Sequence, residues 1–133
     1  MGGWDIFLYS VPGDTLIPLP GLNTPENEMA SSISADGRYI AFQQGHGDAD
    51  SLYNVRVYDR STHSLLPLPG ANTALGEVQP ALSPDGRYLA YMTDPVGGGD
   101  VRVYDIRQGR LLQVEGLNVQ NYRDSFPALA IPK

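Results

Sequence analysis

The feature that most constrains the fold is a short segment that occurs three times at nearly equal intervals. Asp-Ile-Phe-Leu-Tyr begins at residue 5, Asn-Val-Arg-Val-Tyr at residue 54 and Asp-Val-Arg-Val-Tyr at residue 100. The intervals are 49 and 46 residues (54 − 5 and 100 − 54). A period of roughly 20–50 residues indicates a repeat architecture, so the fold has to be interpreted one repeat at a time.

The repeat extends well beyond this segment. Residues 5–42 align with 54–91 without a gap, and 15 of the 38 pairs are identical, which sets the register between the copies. The third copy is shorter, because 126–129 corresponds to 79–82 and the sequence ends at residue 133. We therefore interpret 1–133 as a single segment of repeats at about 4–52, 53–99 and 100–133, the last one truncated.

One repeat contains the pattern of four strands. Residues 81–83, 88–92, 101–104 and 111–114 are rich in aliphatic and aromatic side chains, and Pro or Gly marks the turns between them. The fourth strand carries prolines in the first two repeats, at 18, 20, 67 and 69, which places it on a sheet edge. No segment keeps a helical period without a Pro or Gly, so the pattern predicts an all-β chain of four-stranded antiparallel blades, a β-propeller.

These residues resemble a known family. Ser83-Pro84-Asp85-Gly86-Arg87, followed by Tyr-Leu-Ala-Tyr and Val-Arg-Val-Tyr-Asp, is similar to the WD40-like repeat of the TolB propeller family. The resemblance implies a propeller and leaves three functions open, because such repeats occur in periplasmic binding proteins, peptidase propeller domains and some polysaccharide lyases. It also implies a periplasmic or extracellular location, although the N-terminus has no signal-peptide pattern.

The order of the predicted strands leads to a prediction about assembly. With A as the innermost strand, the chain runs C-D, A-B-C-D, A-B-C-D and A, which amounts to about three blades. Propellers usually have roughly 4–8 blades. We therefore expect a homodimer that closes a six-bladed ring, with the partner's strand around 128–130 beside strand 5–10. The alternative is that the chain is part of a larger propeller.

Charge limits the class of partner. The net charge is −6 and the chain contains no cysteine. An acidic chain is repelled by nucleic acid and by anionic membrane surfaces, so we expect neither as a partner. Cationic partners are electrostatically easier to bind.

Three carboxylates recur just before the innermost strand of each repeat. Glu28, Glu77 and Asp124 would surround one mouth of the central channel, and a dimer would place six carboxylates there. They are candidates for binding a cation or a basic peptide. The alternative, which recurrence favours, is that each carboxylate accepts backbone N–H groups from a neighbouring blade.

Two loops differ most between the repeats, so they are where partner recognition is expected. Their candidate residues are His46, Asp48 and Asp50 in the loop 45–51, and Tyr122 and Arg123 in 117–124. The spacing of Asp48 and Asp50 fits a calcium loop, but the distal Glu of such a loop is missing. A solvated loop is favoured, and no cofactor is assigned beyond calcium as a possibility.

Other recurrent residues are assigned to the scaffold. Asn23 and Asn72 each stand two residues after a Gly and are expected to form Asx turns. Arg38 and Arg87 follow the Asp-Gly turn and are expected to bond across it or to the adjacent blade.

The predicted function is a non-catalytic propeller that binds a protein or peptide through its loop face. Only two histidines are present, and neither a nucleophile elbow nor a zinc-binding helix motif occurs. The alternatives are an accessory propeller that positions substrate for a separate hydrolase or peptidase and, with less support, a polysaccharide lyase.

Overall fold

The computed structural model describes residues 3–47, 52–93 and 99–114. Within these ranges the chain forms ten β-strands and no helix. In chain order they are β1 (Leu8–Ser10), β2 (Thr15–Ile17), β3 (Asn27–Ile33), β4 (Tyr39–Gly45), β5 (Asn54–Asp59), β6 (Ser64–Leu65), β7 (Glu77–Leu82), β8 (Tyr88–Thr93), β9 (Asp100–Asp105) and β10 (Arg110–Leu112).

The strands pair in chain order into blades, each of which takes strands A and B from one repeat and strands C and D from the next. Blade 2 is the sheet β3-β4-β5-β6 and blade 3 is β7-β8-β9-β10, both antiparallel throughout. Blade 1 is represented by the pair β1-β2, which corresponds to strands C and D. The predicted all-β fold of four-stranded propeller blades is confirmed. Dimeric closure stays a prediction, and 126–130 lies outside the described residues.

Strand D lies on the outer edge, as the prolines predict, but it is shorter than the sequence indicates. β2 ends at Ile17, directly before Pro18, and β6 ends two residues before Pro67. One further ladder bond joins the Leu66 N–H to the Val57 carbonyl at 2.8 Å. Proline has no N–H to continue the ladder, so the chain leaves the sheet where the prolines begin.

Strand A is longer than predicted and carries a β-bulge. β7 begins at Glu77 rather than at residue 81, and its register with β8 shifts between Val78 and Ala81. The residues at the bulge, Ala30 in blade 2 and Gln79 in blade 3, have φ values of 54° and 55°. The sequence pattern did not predict the bulge, because neither position is a glycine, the residue that normally marks a left-handed backbone.

The core lies between the blades, and this explains why β4 is buried along almost its whole length. Side chains alternate across a strand, so one blade can pack against two neighbours. Ile40 and Phe42 join a cluster that includes Ile6 and Leu22, next to blade 1. Ala41 lies on the opposite face, in the cluster formed with residues of blade 3 such as Tyr91.

Tyrosine hydroxyls link each blade to the end of the preceding strand D. The Tyr58 hydroxyl donates to the Pro20 carbonyl at 2.7 Å, and the Tyr104 hydroxyl donates to the Pro69 carbonyl at 2.8 Å. Both side chains are fully buried, so the hydrogen bond satisfies a polar group that water cannot reach. The same repeat position therefore makes the same contact at both interfaces.

The side chains of the arginines after the Asp-Gly turn bond to strand C of their own blade, which corrects the prediction of a bond across the turn or to the adjacent blade. The Arg38 Nε and Nη2 atoms each donate to a carboxylate oxygen of Asp59 at 3.0 Å, and Arg87 Nη2 donates to Asp105 at 3.0 Å. Donation by Arg38 lowers the pKa of Asp59 to about 2. The pair ties the start of strand B to the end of strand C.

The recurrent asparagines also act differently from the predicted Asx turns. Asn23 Oδ1 accepts from the Ile6 N–H and Asn23 Nδ2 donates to the Ile6 carbonyl, both at 2.8 Å. Asn72 makes the same pair of bonds to Val55, at 2.8 and 2.9 Å. Each side-chain amide replaces a peptide group of strand D where prolines have interrupted the ladder.

Candidate functional site

The candidate site lies on one face of the blades, where strands A and C begin and strand B ends. We call this the loop face, and it carries the linkers from strand D to strand A and the loops between strands B and C. In blade 2 the described parts of these segments are 18–26, 46–47 and 52–53. Loops on one rim of a repeat scaffold vary without disturbing the packed strands, so this face is suited to recognition.

The recurrent glutamates are buried at this face and their oxygens accept hydrogen bonds from nearby residues. Glu28 Oε2 accepts from the Thr24 N–H at 3.1 Å, and Oε1 accepts from the Thr24 hydroxyl at 2.5 Å. Glu77 Oε1 accepts from the Thr73 N–H at 2.8 Å and from its hydroxyl at 2.6 Å. Glu28 is 1% exposed and Glu77 0%, so each carboxylate holds the linker that enters its strand A.

The second oxygen of Glu77 distinguishes the two blades. Glu28 Oε1 accepts a further hydrogen bond from Gln44 Nε2 at 3.0 Å. From the end of strand B, Glu77 Oε1 accepts a long bond of 3.4 Å from the Thr93 hydroxyl, and its Oε2 atom is buried with no hydrogen-bond partner. The difference arises because the Thr24 N–H donates to Oε2 of Glu28, whereas the Thr73 N–H donates to Oε1 of Glu77.

Gln44 extends this network to the surface of blade 2. Its Nε2 atom donates to Glu28 and to the Thr24 hydroxyl at 3.2 Å, and its Oε1 atom accepts from Arg56 Nε at 3.1 Å. The amide is therefore held in one orientation by a carboxylate on one side and a guanidinium on the other. This places the Arg56 guanidinium on the loop face beside Gln44.

These side chains border a cleft of about 430 Å³, which we call the polar cleft. It is lined by Thr24, Pro25, Glu26, Gln44, His46 and Arg56. His46 Nε2 lies 3.6 Å from Glu26 Oε1 at its rim. A carboxylate, an imidazole, an amide and a guanidinium thus converge on one opening, which gives donors and acceptors for a polar ligand.

Blade 3 lacks the same combination. Leu75 and Thr93 stand at the positions of Glu26 and Gln44, and Arg102 stands at the position of Arg56. Arg102 Nη2 lies 3.7 Å from the Asp100 carboxylate on its own strand. The polar cleft is therefore a feature of blade 2 rather than of the repeat.

The structure places only some of the predicted site residues. His46 lies at the polar cleft and is exposed, whereas Glu28 is buried beneath it. Asp124, Asp48, Asp50, Tyr122 and Arg123 lie outside the described residues. Sequence reasoning missed Glu26, Gln44 and Arg56. Glu26 and Gln44 differ from Leu75 and Thr93 at the same repeat positions, and this difference could have identified both.

The described residues contain neither a metal-binding cluster nor a membrane-spanning helix. Across 3–47, 52–93 and 99–114, no three His, Cys, Asp or Glu side chains lie close enough to hold a metal ion. In the same part of the chain no helix has the length and hydropathy needed to cross a membrane.

Solved structures resemble this architecture, although no protein-family model and no curated protein matches the sequence. A TolB-type protein from Agrobacterium tumefaciens superposes with a TM-score of 0.62 at 19% identity, covering 91% of this chain and 40% of that protein. TolB from Acinetobacter baumannii superposes with a TM-score of 0.56 at 20% identity, covering 84% of this chain and 27% of that protein. The chain has a TolB-like β-propeller fold. It spans less than half of either TolB structure, and at this identity the likeness shows the fold alone.

Proposed function

We propose that this TolB-like chain is a non-catalytic propeller module that binds a protein or peptide through its loop face, with the polar cleft of blade 2 as the contact site. The observation that carries the proposal is the separation of two kinds of residue. Recurrent Glu28 and Glu77 hold the linkers, whereas the non-recurrent Glu26, Gln44 and His46 surround an open cleft. In a repeat protein, such local departures are the natural basis of specific recognition.

The chemistry of the cleft suits a polypeptide. Arg56 and Gln44 present donors suited to carbonyl and carboxylate oxygens, and Glu26 presents an acceptor for N–H groups or a cationic side chain. A peptide offers both kinds of group along its backbone. The overall net charge of −6 favours a partner segment that carries basic residues.

A repeat-guided substitution tests the proposal. The double variant Glu26→Leu and Gln44→Thr gives blade 2 the residues of blade 3, and the control variant Arg102→Gln alters the same face of blade 3. Tagged wild type, double variant and control would be used as bait in native extract, and bound proteins identified by mass spectrometry. We expect at least one partner that the wild type and the control retain. In a later calorimetric titration with that partner, the double variant should bind about tenfold or more weakly than the wild type.

Two results would contradict this function. One is retention of every bound protein by the double variant. The other is recovery of small glycans with no protein. Recovery of one hydrolase or peptidase as the partner would instead identify the chain as an accessory propeller that positions substrate for that enzyme.

We also propose that the recurrent glutamates bind a cation. Glu77 Oε2 is one of two buried carboxylate oxygens without a hydrogen-bond partner in the described part of the chain, the other being Asp5 Oδ1. Calorimetric titration with calcium, together with melting curves with and without a chelator, tests the site. Binding of calcium with a rise in melting temperature supports it, and absence of both contradicts it.

For assembly and location we propose a two-chain ring of six blades outside the cytoplasm. The ring rests on the number of predicted blades, and the location rests on the TolB resemblance. Light scattering at working concentration should give twice the chain mass of 14.4 kDa, and a monomer would contradict the ring. Fractionation of cells that make the native protein tests the location.

A further inference from the structure

The guanidinium of Arg56 lines the polar cleft with one edge engaged and the other available to a ligand. Its Nε atom donates to Gln44 Oε1 at 3.1 Å. Among the described residues neither Nη nitrogen has a hydrogen-bond partner, and no carboxylate forms an ion pair with this arginine. The two Nη nitrogens carry four of the five N–H donors of the planar group. This edge is therefore suited to bind both oxygens of one carboxylate.

The orientation of this guanidinium is fixed from the protein interior. Gln44 Nε2 uses both of its hydrogens, on Glu28 Oε1 at 3.0 Å and on the Thr24 hydroxyl at 3.2 Å. Gln44 is 9% exposed and Glu28 is 1% exposed, so this part of the network is buried. Reversal of the amide would place its oxygen against the Glu28 carboxylate and its NH2 group against the guanidinium. Gln44 Oε1 therefore faces Arg56 and holds it in one position.

The equivalent arginine of blade 3 is engaged by its own strand. Arg102 Nη2 lies 3.7 Å from the carboxylate of Asp100, two positions earlier on β9. In blade 2 the residue two positions before Arg56 is Asn54, which is neutral. Blade 2 therefore lacks the intrachain carboxylate that partly neutralises the arginine of blade 3.

Access of solvent to this position of strand C is a property of the loop face. Blade 3 packs against blade 2, which has all four strands, and the Arg102 side chain is still 46% exposed. Arg56 is half-buried at the same position of blade 2. An arginine at this level of the blade can therefore contact a ligand even where a complete blade lies beside it.

We propose that the polar cleft binds a carboxylate group of the partner, with the Nη1 and Nη2 atoms of Arg56 donating to its two oxygens. This inference rests on the proposed function, since it assigns a chemical group of the partner to the contact site. A bidentate pair of arginine and carboxylate combines two charge-assisted hydrogen bonds with a defined geometry, which a lysine does not supply. Gln44 acts as a positioning residue, because it orients Arg56.

The charges around the cleft favour a carboxylate over a phosphate group. Arg56 is the permanently charged cation of the lining, whereas Glu26 at the rim and Glu28 beneath Gln44 are acidic. A phosphate monoester carries a charge of about −1.5 to −2 at neutral pH, which one arginine beside two acidic groups does not balance. A carboxylate carries a single charge, which one guanidinium balances.

The carboxylate can come from an acidic side chain or from a C-terminus, and the probes separate these two sources. One probe is acetyl-alanyl-alanine with a free C-terminal carboxylate, and the other is the C-terminal amide of acetyl-aspartyl-alanine. The amide of acetyl-alanyl-alanine and inorganic phosphate are the controls. Each would be titrated into the intact 133-residue chain, with the NMR signals of the Arg56 Nε–H and the Gln44 side-chain amide as readout. We expect saturable shifts with at least one carboxylate probe, which identifies the source, and none with either control.

Three variants test the geometry, with the Gln44 side-chain amide as the common readout. Arg56→Lys keeps the charge and removes the bidentate edge, so we expect about tenfold or more weaker binding of the carboxylate probe. Asn54→Asp gives Arg56 the neighbouring carboxylate that Arg102 has, and it should weaken binding by a similar factor. Arg102→Gln is the matched control in blade 3 and should bind as wild type does. Circular dichroism of the variants checks that they are folded.

Three results would overturn the inference. The first is that neither carboxylate probe shifts the signals, or that the amide control shifts them equally. The second is equal binding of the carboxylate by wild type and Arg56→Lys, because charge alone would then account for it. The third is tighter binding of phosphate than of both carboxylates.

Failure of this inference can be distinguished from failure of the proposed function. A captured protein that depends on Glu26 and Gln44 but is retained equally by Arg56→Lys would support the binding function and reject the carboxylate contact. Specific binding of a carboxylate probe, with no captured protein that depends on the polar cleft, would contradict the proposed function and support the contact.

Discussion

Blade 1 and the two following blades carry the same tyrosine in different surroundings. Tyr58 and Tyr104 are both 0% exposed and donate to a proline carbonyl of the preceding blade. Tyr9 occupies the same repeat position and is 49% exposed, with its hydroxyl directed to the nearby Asp14 carboxylate. A repeated residue is therefore part of the core only where another blade covers it.

The residue that follows this tyrosine also differs between blade 1 and the other two blades. Asp59 and Asp105 end strand C in blades 2 and 3, and each accepts from the arginine that precedes its neighbouring strand B. In blade 1 the position is Ser10. Position in the repeat thus predicts the backbone, whereas the energetic value of the side chain depends on the strands around it.

The largest test of this comparison is removal of the tyrosine ring. Tyr58→Ala empties a fully buried site between blades 1 and 2 and should lower the free energy of unfolding by about 3–5 kcal/mol. Tyr9→Ala, at a half-exposed position, should change it by less than about 0.5 kcal/mol. Urea denaturation followed by circular dichroism measures both. Equal losses would contradict the comparison between Tyr9 and Tyr58.

The second test concerns the pair formed by Arg38 and Asp59. Asp59→Asn removes the charged acceptor of two 3.0 Å hydrogen bonds and should cost about 2 kcal/mol at neutral pH. Ser10→Asp places a carboxylate at the equivalent position of blade 1, where no such arginine is described, and should give no gain in stability. A gain from Ser10→Asp would contradict the comparison.

The same pair predicts a pH dependence. Donation by Arg38 lowers the folded-state pKa of Asp59 to about 2, below the unfolded value of about 3.9. The stabilisation is therefore fully present above about pH 4 and is lost as the pH falls towards 2. Wild type should lose more stability than Asp59→Asn between pH 4 and 2, as measured by urea midpoints at fixed ionic strength. Parallel losses would assign the acid sensitivity to other carboxyl groups.

A smaller test removes only the hydroxyl. Tyr58→Phe and Tyr104→Phe leave a proline carbonyl without its donor and should each cost about 1 kcal/mol. Tyr9→Phe should be neutral within about 0.3 kcal/mol because its hydroxyl is at the surface. Thermal and urea unfolding of the three variants measures the set. A cost at Tyr9 equal to that at Tyr58 would contradict the difference in burial between the two hydroxyls.

The smallest test concerns the turn between strands C and D, which recurs in all three blades. Asp14, His63 and Gly109 occupy the same position with φ values of 48°, 53° and 66°. Because glycine adopts this backbone without a Cβ penalty, His63→Gly should stabilise the chain by about 0.5–1 kcal/mol and Gly109→Ala should destabilise it by about 1 kcal/mol. Urea denaturation of both variants provides the measurement, and destabilisation by His63→Gly would show that the turn relies on the imidazole.

Much of the fold could be predicted from the sequence because a local pattern encodes it. The aliphatic and aromatic residues of 88–92 predicted β8, and the prolines at 18 and 67 predicted the outer edge. The bulges at Ala30 and Gln79 were missed because side chains from the preceding blade stabilise the second of them, as Gln43 does for the Gln79 N–H. Contacts of that range leave no mark in a local pattern.

The candidate site was predictable only in outline. The departure of 45–51 from the repeat directed attention to the loop face, and His46 does line the polar cleft. The repeat pattern could not single out Arg56, because an arginine also occupies the equivalent position, 102. Arg102 lies beside Asp100 and not beside a glutamine side chain. The partner of each arginine depends on whether Gln44 or Thr93 ends the adjacent strand B.

The sequence by itself determined the repeat, the order of the strands in a blade and the edge at which each blade ends. Period, turn residues and prolines act over a few residues, so the chain encodes them locally. Only the tertiary structure decided which copies of a repeated residue are buried and where the polar cleft opens. These depend on the packing of one blade against the next, which brings together residues that are 35–50 positions apart in the chain.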